Sequence, residues 1–272
     1  MCSYIRTDEV VNTVHKSIQI LSLLARSGDM GVTEVSRALG LPKSSVHNIL
    51  QTLAQQRLVE RRGESNRFHL GIRLIELGNR AQLEVDLCRL ARPFLRSLNE
   101  RTDETVHLTV LDSDEVLYVD CVESRKRLRT YSVIGVRAPL YCTSVGKAIL
   151  AFQPGAEIQR ILDGYPMTAF TENTITDRDR LLEELRVIRR HGYSVDDMEH
   201  EEHIRCVGAP IFEPSGKVNA SLSVSGPAER VLLSAVPQLA AQVVAVAGAI
   251  SAKLGYRGSA APTASGFPAG AD

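Results

Sequence analysis

Between residues 43 and 51 the chain carries Lys43, Ser44, Ser45, His47, Asn48 and Gln51, interleaved with Val46, Ile49 and Leu50 and followed by Leu53. The four apolar residues fall at i, i+3, i+4 and i+7, so a helix here buries one stripe and turns the polar set outward. That polar set can do recognition chemistry. Ser, Asn and Gln can hydrogen-bond base edges in a major groove, and Asn or Gln can pair bidentately with adenine. Lys43, Ser44 and Ser45 stand at the helix start, where open backbone N–H groups and the helix dipole favour a phosphate. A shorter helical pattern (Val35, Ala38, Leu39) begins near Thr33 and stops at Gly40-Leu41-Pro42. After the second helix come two strand-like runs, LVERR and RFHL, which place Arg61, Arg62, Arg67 and His69 on a basic hairpin. Helix, tight turn, helix and basic hairpin is the outline of a winged helix-turn-helix that reads duplex DNA. The candidate DNA contacts are therefore Thr33, Lys43, Ser44, Ser45, His47, Asn48, Gln51, Arg61, Arg62 and Arg67.

Charge agrees with that outline. Seven basic residues lie between Thr33 and Arg73, against Glu34, Glu60 and Glu64, which leaves the window at +4 on a chain of zero net charge. A basic segment on a neutral chain is the footprint of a confined nucleic-acid site. Charge alone also allows a solvated basic face, and the outline alone allows a winged helix that binds protein.

The module needs few of the 272 residues, so a second domain must follow. The expected division is a flexible leader (1–11), the winged helix-turn-helix (12–73), a linker helix (74–99), an effector-binding domain (100–256) and a disordered tail (257–272). Thr13 to Ser27 reads as an amphipathic helix with Val14, Ile18, Leu21, Leu24 and Ala25 on one face, covering the back of the helix pair. A long helical pattern runs from Leu74 to Leu98, with Pro93 expected to kink or divide it. From Thr105 the period becomes two: Val106, Leu108 and Val110, then EVLYVDCVE after an Asp112–Asp114 turn, and a strand-like run around Gly135. Helices are expected over Ser144–Phe152, Ala156–Leu162 and from an N-cap at Thr176 to Gly192. The run CVGAPIFEPSGKVNASLSVSG reads as a hairpin about Pro-Ser-Gly. Beyond Pro227 the pattern is helical, with a break expected at Pro237. Sequence-adjacent strand pairs imply an antiparallel sheet flanked by helices, an α+β domain.

Composition narrows the class. No run approaches the ~20 apolar residues of a membrane span, and no signal-peptide core precedes residue 12, so a cytoplasmic location is expected and no membrane partner. The five cysteines (Cys2, Cys88, Cys121, Cys142, Cys206) are scattered without a CxxC pair, as for reduced thiols. No P-loop, GxGxxG, GxSxG or HExxH motif occurs, so neither a cofactor nor an enzymatic activity is expected.

Five blocks together resemble the IclR family of bacterial transcriptional regulators. They are SIQILSLLARSG with VTEVSRALGLPKSSVHNILQTLAQQRLVER, then ETVHLTVLDSDEVLYVDCVES, then GVRAPLYCTSVGKAILAF, then NTITD, and last RRHGYSVDDMEHEEHIRCVGAPIFEPSGKVNASLSVSGP. They occur in the family's order across residues 13–255. The resemblance implies a GAF-like effector domain behind the DNA-binding module, dimers that often pair into tetramers, and repression or activation of genes for small-molecule catabolism. Carried over by motif, the effector pocket would draw on Ser144, Val145 and Gly146, on Asp196 and Cys206, and on Ser223 and Ser225. The residues make chemical sense of this. The turn before the GKA helix could present N–H groups to a carboxylate, and the two serines share a strand face by the period of two. A small organic acid is the implied effector; an ordinary polar strand face is the alternative for the serines.

Two positions depart from the family pattern. Asn48 stands where many relatives have Arg, which makes the operator different. His203 stands where many have Gly, creating the run Glu199-His200-x-x-His203-x-x-Cys206. His200, His203 and Cys206 are residue types that bind Zn²⁺, though only a helix or tight loop would converge them; the expectation is no metal. Two other functions remain open on these residues: a redox-sensing regulator using Cys121, Cys142 or Cys206, and a thiol hydrolase using Cys206 with His200 or His203.

Overall fold

The computed structural model describes residues 11–63, 65–84, 86–128, 130 and 134–258. Most of the expected leader and tail, and Cys2, lie outside them. The chain forms two compact units, residues 1–84 and 85–272.

The first unit begins with α1 (Asn12–Ser27) and the two-residue strand β1 (Met30–Gly31), then α2 (Val32–Leu39) and α3 (Lys43–Gln55). The wing is β2 (Val59–Arg61) and β3 (Arg67–Leu70), and α4 (Arg73–Glu84) follows. Gly40, at φ 65°, caps α2 in the left-handed region, a conformation that costs glycine nothing. Ser36 locks the turn: its carbonyl accepts the Leu41 N–H at 3.1 Å and its hydroxyl donates to the Leu41 carbonyl at 2.6 Å. Val46, Ile49, Leu50 and Leu53 point into a core with Ile20, Leu24, Val35, Val59 and Phe68. β1 pairs antiparallel with β3, which makes a three-stranded sheet in the order β1-β3-β2. The buried face of α1 is the expected one at Leu21 and Leu24 but not at Val14 and Ile18. Ile20 and Leu24 enter the core, while Val14 and Ile18 are 55% and 57% exposed.

The second unit begins with α5 (Asp86–Thr102). The linker helix expected over Leu74–Leu98 falls on α4 and α5, with residue 85 between them outside the described residues. Pro93 lies inside α5 rather than dividing it, and Ala91, Leu95 and Leu98 are part of this unit's core. The strands are β4 (Thr105–Asp112), β5 (Glu115–Val122), β6 (Arg137–Pro139), β7 (Ser194–Asp197), β8 (Ile204–Phe212) and β9 (Val218–Pro227). They form one antiparallel sheet in the order β6-β5-β4-β9-β8-β7. Helices α6 (Ser144–Leu150), α7 (Gly155–Gly164) and α8 (Arg178–His191) precede β7, and α9 (Val236–Leu254) closes the unit. Asp177, not Thr176, caps α8: its carboxylate accepts the Arg180 N–H at 2.8 Å. Pro237 falls in the first turn of α9, where its missing N–H is harmless, so it starts that helix instead of breaking one.

The sheet is covered on both faces. Val106, Leu108, Val207, Ala209, Ile211, Leu222 and Val224 face α5 and α9. A second core of Leu140, Val145, Ile149, Ile161, Leu181, Leu185 and Ile188 gathers around α6, α7 and α8. Residues Leu233–Leu254 are long and apolar enough to cross a membrane by length and composition, which corrects the expectation that no stretch is. Ala240, Val243, Val246, Ala247 and Ile250 pack that helix into the core.

Candidate functional site

The outward side of α3 carries the expected polar residues. Lys43, Ser44, His47 and Asn48 are exposed, and Ser45 and Gln51 are half-buried. The helix begins after Pro42 without a side-chain cap, so its leading N–H groups are open to an anion. A cleft lies between the start of α2, α3 and the wing, lined by Thr33, Glu34, His47, Arg61, Asn66 and Arg67 among others. Thr33, His47, Arg61 and Arg67 therefore converge there as one surface. Glu34 and Asn66 join them without having been expected. The three wing arginines differ in their partners. Arg61 lies over the Phe68 ring, 5.3 Å from its centre. Arg62 is bound to the Asp29 carboxylate. Arg67 donates to Glu34 at 3.1 Å and to the Asp29 carbonyl at 2.6 Å.

In the second unit the sheet face toward α6 is polar from strand to strand. Thr105, His107 and Thr109 of β4 stand opposite Ser225, Ser223 and Ser221 of β9; Ser225 also faces Cys206 of β8, which faces Asp196 of β7. One part of this face docks α6. Ser221 donates to the Val145 carbonyl at 2.9 Å and Ser194 to the Ser144 carbonyl at 2.5 Å. The other part lines a cavity of about 110 Å³ with Ser144, Asp196, Cys206, Ser223 and Ser225, closed further by His107, Tyr118, Thr143, Arg137 and His200.

Burial decides the charge states. Asp196 accepts the Glu199 and His200 N–H groups at 2.8 and 3.4 Å. Loss of solvent, reinforced by Glu199, still pushes its pKa up to about 7. Burial raises the Cys206 thiol well above its ordinary range, and its sulfur lies 3.0 Å from the Ser225 hydroxyl. His107 is pushed down to about 4 by burial, and His200 is lowered for the same reason. Behind the cavity, the fully buried Lys147 ammonium meets Glu199 at 2.5 Å and Glu184 at 3.7 Å. Around neutral pH the wall thus presents hydroxyls, a thiol, neutral imidazole and an Asp196 carboxyl near its titration point, with Arg137 and Glu201 also lining it. It can recognise a polar molecule, and it offers neither a thiolate nor a charged imidazolium for catalysis.

Family models match both units. "IclR helix-turn-helix domain" covers residues 13–63, and "Bacterial transcriptional regulator IclR C-terminal" covers residues 80–252. The chain belongs to the IclR family of bacterial transcriptional regulators. It is 39% identical over 246 residues to the HTH-type transcriptional regulator KdgR of Escherichia coli, which spans 90% of this chain and 94% of that protein. Among solved structures it resembles the IclR of Thermotoga maritima, at 34% identity and a TM-score of 0.75, covering 91% of this chain and all of that one. An IclR homolog of Microbacterium hydrocarbonoxydans, solved with 4-hydroxybenzoate, shares the fold at 24% identity and a TM-score of 0.77, covering 89% and 98%.

For this IclR-family chain, five of the seven residues expected at the effector pocket line the cavity. Val145 and Gly146 do not. Val145 packs into the apolar core beside α6. Gly146 faces the backbone, where a Cβ would meet the Leu140 Cα at 2.5 Å, and its N–H donates to the Thr143 hydroxyl at 3.1 Å instead of reaching a ligand. Among the lining residues missed were His107, Tyr118 and Arg137. His107 was signalled by alternation, since it holds the polar phase of a strand read only for its apolar phase; Tyr118 shares its phase with the apolar Val116 and had no such signal. The possible metal set does not assemble. His200 lines the cavity and packs on Phe170, while His203 is exposed and does not line it. Among the described residues no cluster of three or more His, Cys, Asp or Glu side chains could hold a metal ion. Burial also pushes Cys88 and Cys142 up, to about 11 and about 12.

Proposed function

We propose that this IclR-family regulator is controlled by a small organic acid that binds the polar cavity and, through it, alters the affinity of a dimer for a palindromic operator in the cytoplasm. The observation that carries the reading is the cavity itself: Ser144, Asp196, Cys206, Ser223 and Ser225, drawn from α6 and three strands, converge in a unit separate from the DNA-reading one. The homolog solved with 4-hydroxybenzoate supports the size and type of ligand, because that molecule is itself a small acid. The serine hydroxyls of the wall suit an acid with further hydroxyl or keto groups.

Self-association is supported by apolar surface that the chain leaves uncovered. Val11, Val14 and Ile18 on and before α1 are 55–65% exposed, and Ile72, Ile75 and Leu77 at α4 are 45–58% exposed. A second copy would remove both patches from water. A two-fold dimer presents two α3 helices about one DNA turn apart, which calls for a palindromic operator; pairing of dimers into a tetramer is compatible with it. The effector acts only through different affinities for two arrangements of the DNA-reading units, carried by α4 and α5.

The test is paired. Thermal shift of the full chain is screened against keto, hydroxy and aromatic acids, and each hit is then titrated into the operator complex. A hit should change operator affinity, and Ser223→Ala with Ser225→Ala should abolish the shift. An acid that binds without altering DNA affinity, or binds the double variant as well as the native chain, would overturn the reading.

A further inference from the structure

The wing carries three arginines at the DNA-reading surface, and among the described residues two of them are tied to carboxylates while Arg61 is not. Arg61 has no acidic partner among the described residues and is steadied by the Phe68 ring. Arg62 and Arg67 reach across 33 residues of sequence, Arg62 to Asp29 between α1 and β1 and Arg67 to Glu34 in the first turn of α2. Arg62 is bonded to Asp29. Arg67 spreads both terminal nitrogens over Glu34 and the Asp29 carbonyl. The pairing is built in from the backbone up, since Met30 and Gly31 pair in register with Phe68 and Arg67. Glu34 is fixed a second time, accepting the Gly31 N–H at 2.7 Å. Both carboxylates are held below their ordinary range, Asp29 first by the Arg62 hydrogen bond and Glu34 first by the Gly31 N–H and then by Arg67.

We propose that Asp29 and Glu34 are specificity-determining residues: they hold Arg62 and Arg67 off the phosphate backbone, so that the wing grips DNA through Arg61 and sequence is read by α3. The inference rests on the assignment of this face to DNA. Its logic is a difference of affinities. Every lysine or arginine that meets a phosphate strengthens binding to all sequences alike. An arginine tied to a carboxylate adds little to that general attraction, and the carboxylate repels phosphate besides. Restraining two of three wing cations lowers binding to random DNA more than to an operator whose bases satisfy Asn48 and Gln51, and so widens the ratio between them.

The experiment measures binding of the full chain by fluorescence anisotropy over a range of salt. One duplex is an operator selected from random DNA with the native protein, and the other is its scrambled counterpart. D29N and E34Q each remove a charge while keeping an acceptor oxygen; circular dichroism verifies that the variants fold. Each should bind scrambled DNA several-fold tighter and narrow the operator preference. Each should also steepen the log–log salt dependence by about 0.9 per freed arginine that engages a phosphate. Arg62→Ala and Arg67→Ala should leave the native slope unchanged, and D29N combined with R62A should restore it. The proposal fails if Arg62→Ala or Arg67→Ala flattens the slope, because the arginine was then already on a phosphate. It fails equally if D29N and E34Q change neither slope nor scrambled-DNA affinity. If Arg61→Ala also leaves the slope untouched, the wing is no DNA contact at all, and both this inference and the assignment of the face are refuted.

Discussion

Asp196→Asn should make this protein more stable, and more so as the pH rises. In the fold the Asp196 carboxyl is buried at the cavity wall with its pKa moved from 3.8 to about 7. Below pH 3.8 it is neutral in the folded and unfolded chain alike and costs nothing. Between there and about 7 the unfolded chain releases the proton while the fold retains it, so stability falls as pH rises. Above about 7 the loss is complete. A separation of about three pH units corresponds to roughly 4 kcal/mol at pH 8, against roughly 1.5 kcal/mol at pH 5. Asparagine removes the ionisation and keeps an oxygen to accept the Glu199 and His200 N–H groups. Urea denaturation of the full chain at both pH values measures the difference, followed by circular dichroism because the sequence contains no tryptophan. The expected gain is small at pH 5 and larger at pH 8, accompanied by loss of effector response. Stability gained where function is lost marks a residue kept for binding rather than for folding. A variant less stable than the native chain at pH 8, or a gain equal at the two pH values, would refute the reasoning.

Three further outcomes follow from the same geometry. Asn48→Ala should cost ~1–3 kcal/mol at the selected operator and nothing on scrambled DNA in anisotropy titrations, since a base contact carries sequence information and a phosphate contact does not; equal losses on both would remove Asn48 from the reading face. Lys147→Met should destabilise the second unit by ~3–5 kcal/mol in urea melts because it strands the buried Glu199 carboxylate, and adding Glu199→Gln should recover most of that; a single variant as stable as the native chain would deny the pair its role. Binding of an anionic effector beside Asp196 should take up a proton near pH 7–8, seen by calorimetry in two buffers of different ionisation enthalpy, with affinity weakening as pH rises through that window; proton-neutral binding would place the acid group elsewhere.

The DNA-reading unit was readable from sequence where one feature had one consequence. Val46, Ile49, Leu50 and Leu53 allow a single inward stripe, and Gly40 before Leu41-Pro42 can hardly continue a helix. The failures came where one feature allowed two outcomes. In α1 the apolar residues span more than half the circumference, so periodicity could not tell the sector of Ile20 and Leu24 from that of Val14 and Ile18; only the partners decide. Pro237 is compatible with ending a helix or opening one, and the 3-10 turn at Leu233–Ala235 is what makes it the opening of α9. The pairing of Met30 and Gly31 with the wing had no sequence signal, because two residues have no period.

The effector cavity shows a deeper reason for incomplete reading. Thr105, His107 and Thr109 alternate with Val106, Leu108 and Val110, and that pattern ordinarily means one buried face and one wet face. Here the polar face is covered as well, by the segment that forms α6, α7 and α8, so the alternation hides a second interior. An interior of that kind cannot be closed like an apolar one. Each hydroxyl, thiol and ring nitrogen taken from water needs a partner. The α6 backbone supplies carbonyls for Ser194 and Ser221 and no further. His107, Ser223, Ser225, Cys206 and Asp196 continue past the end of that cover, and the cavity stands where they do. The polar strand face therefore does two jobs with one set of residue types: it anchors α6 where the helix reaches it, and it leaves a hydrogen-bonding wall where the helix stops. A variant that turned Ser223 to Val would fit the sheet as well as serine does, but would leave the wall without the donor that distinguishes a ligand site from a core.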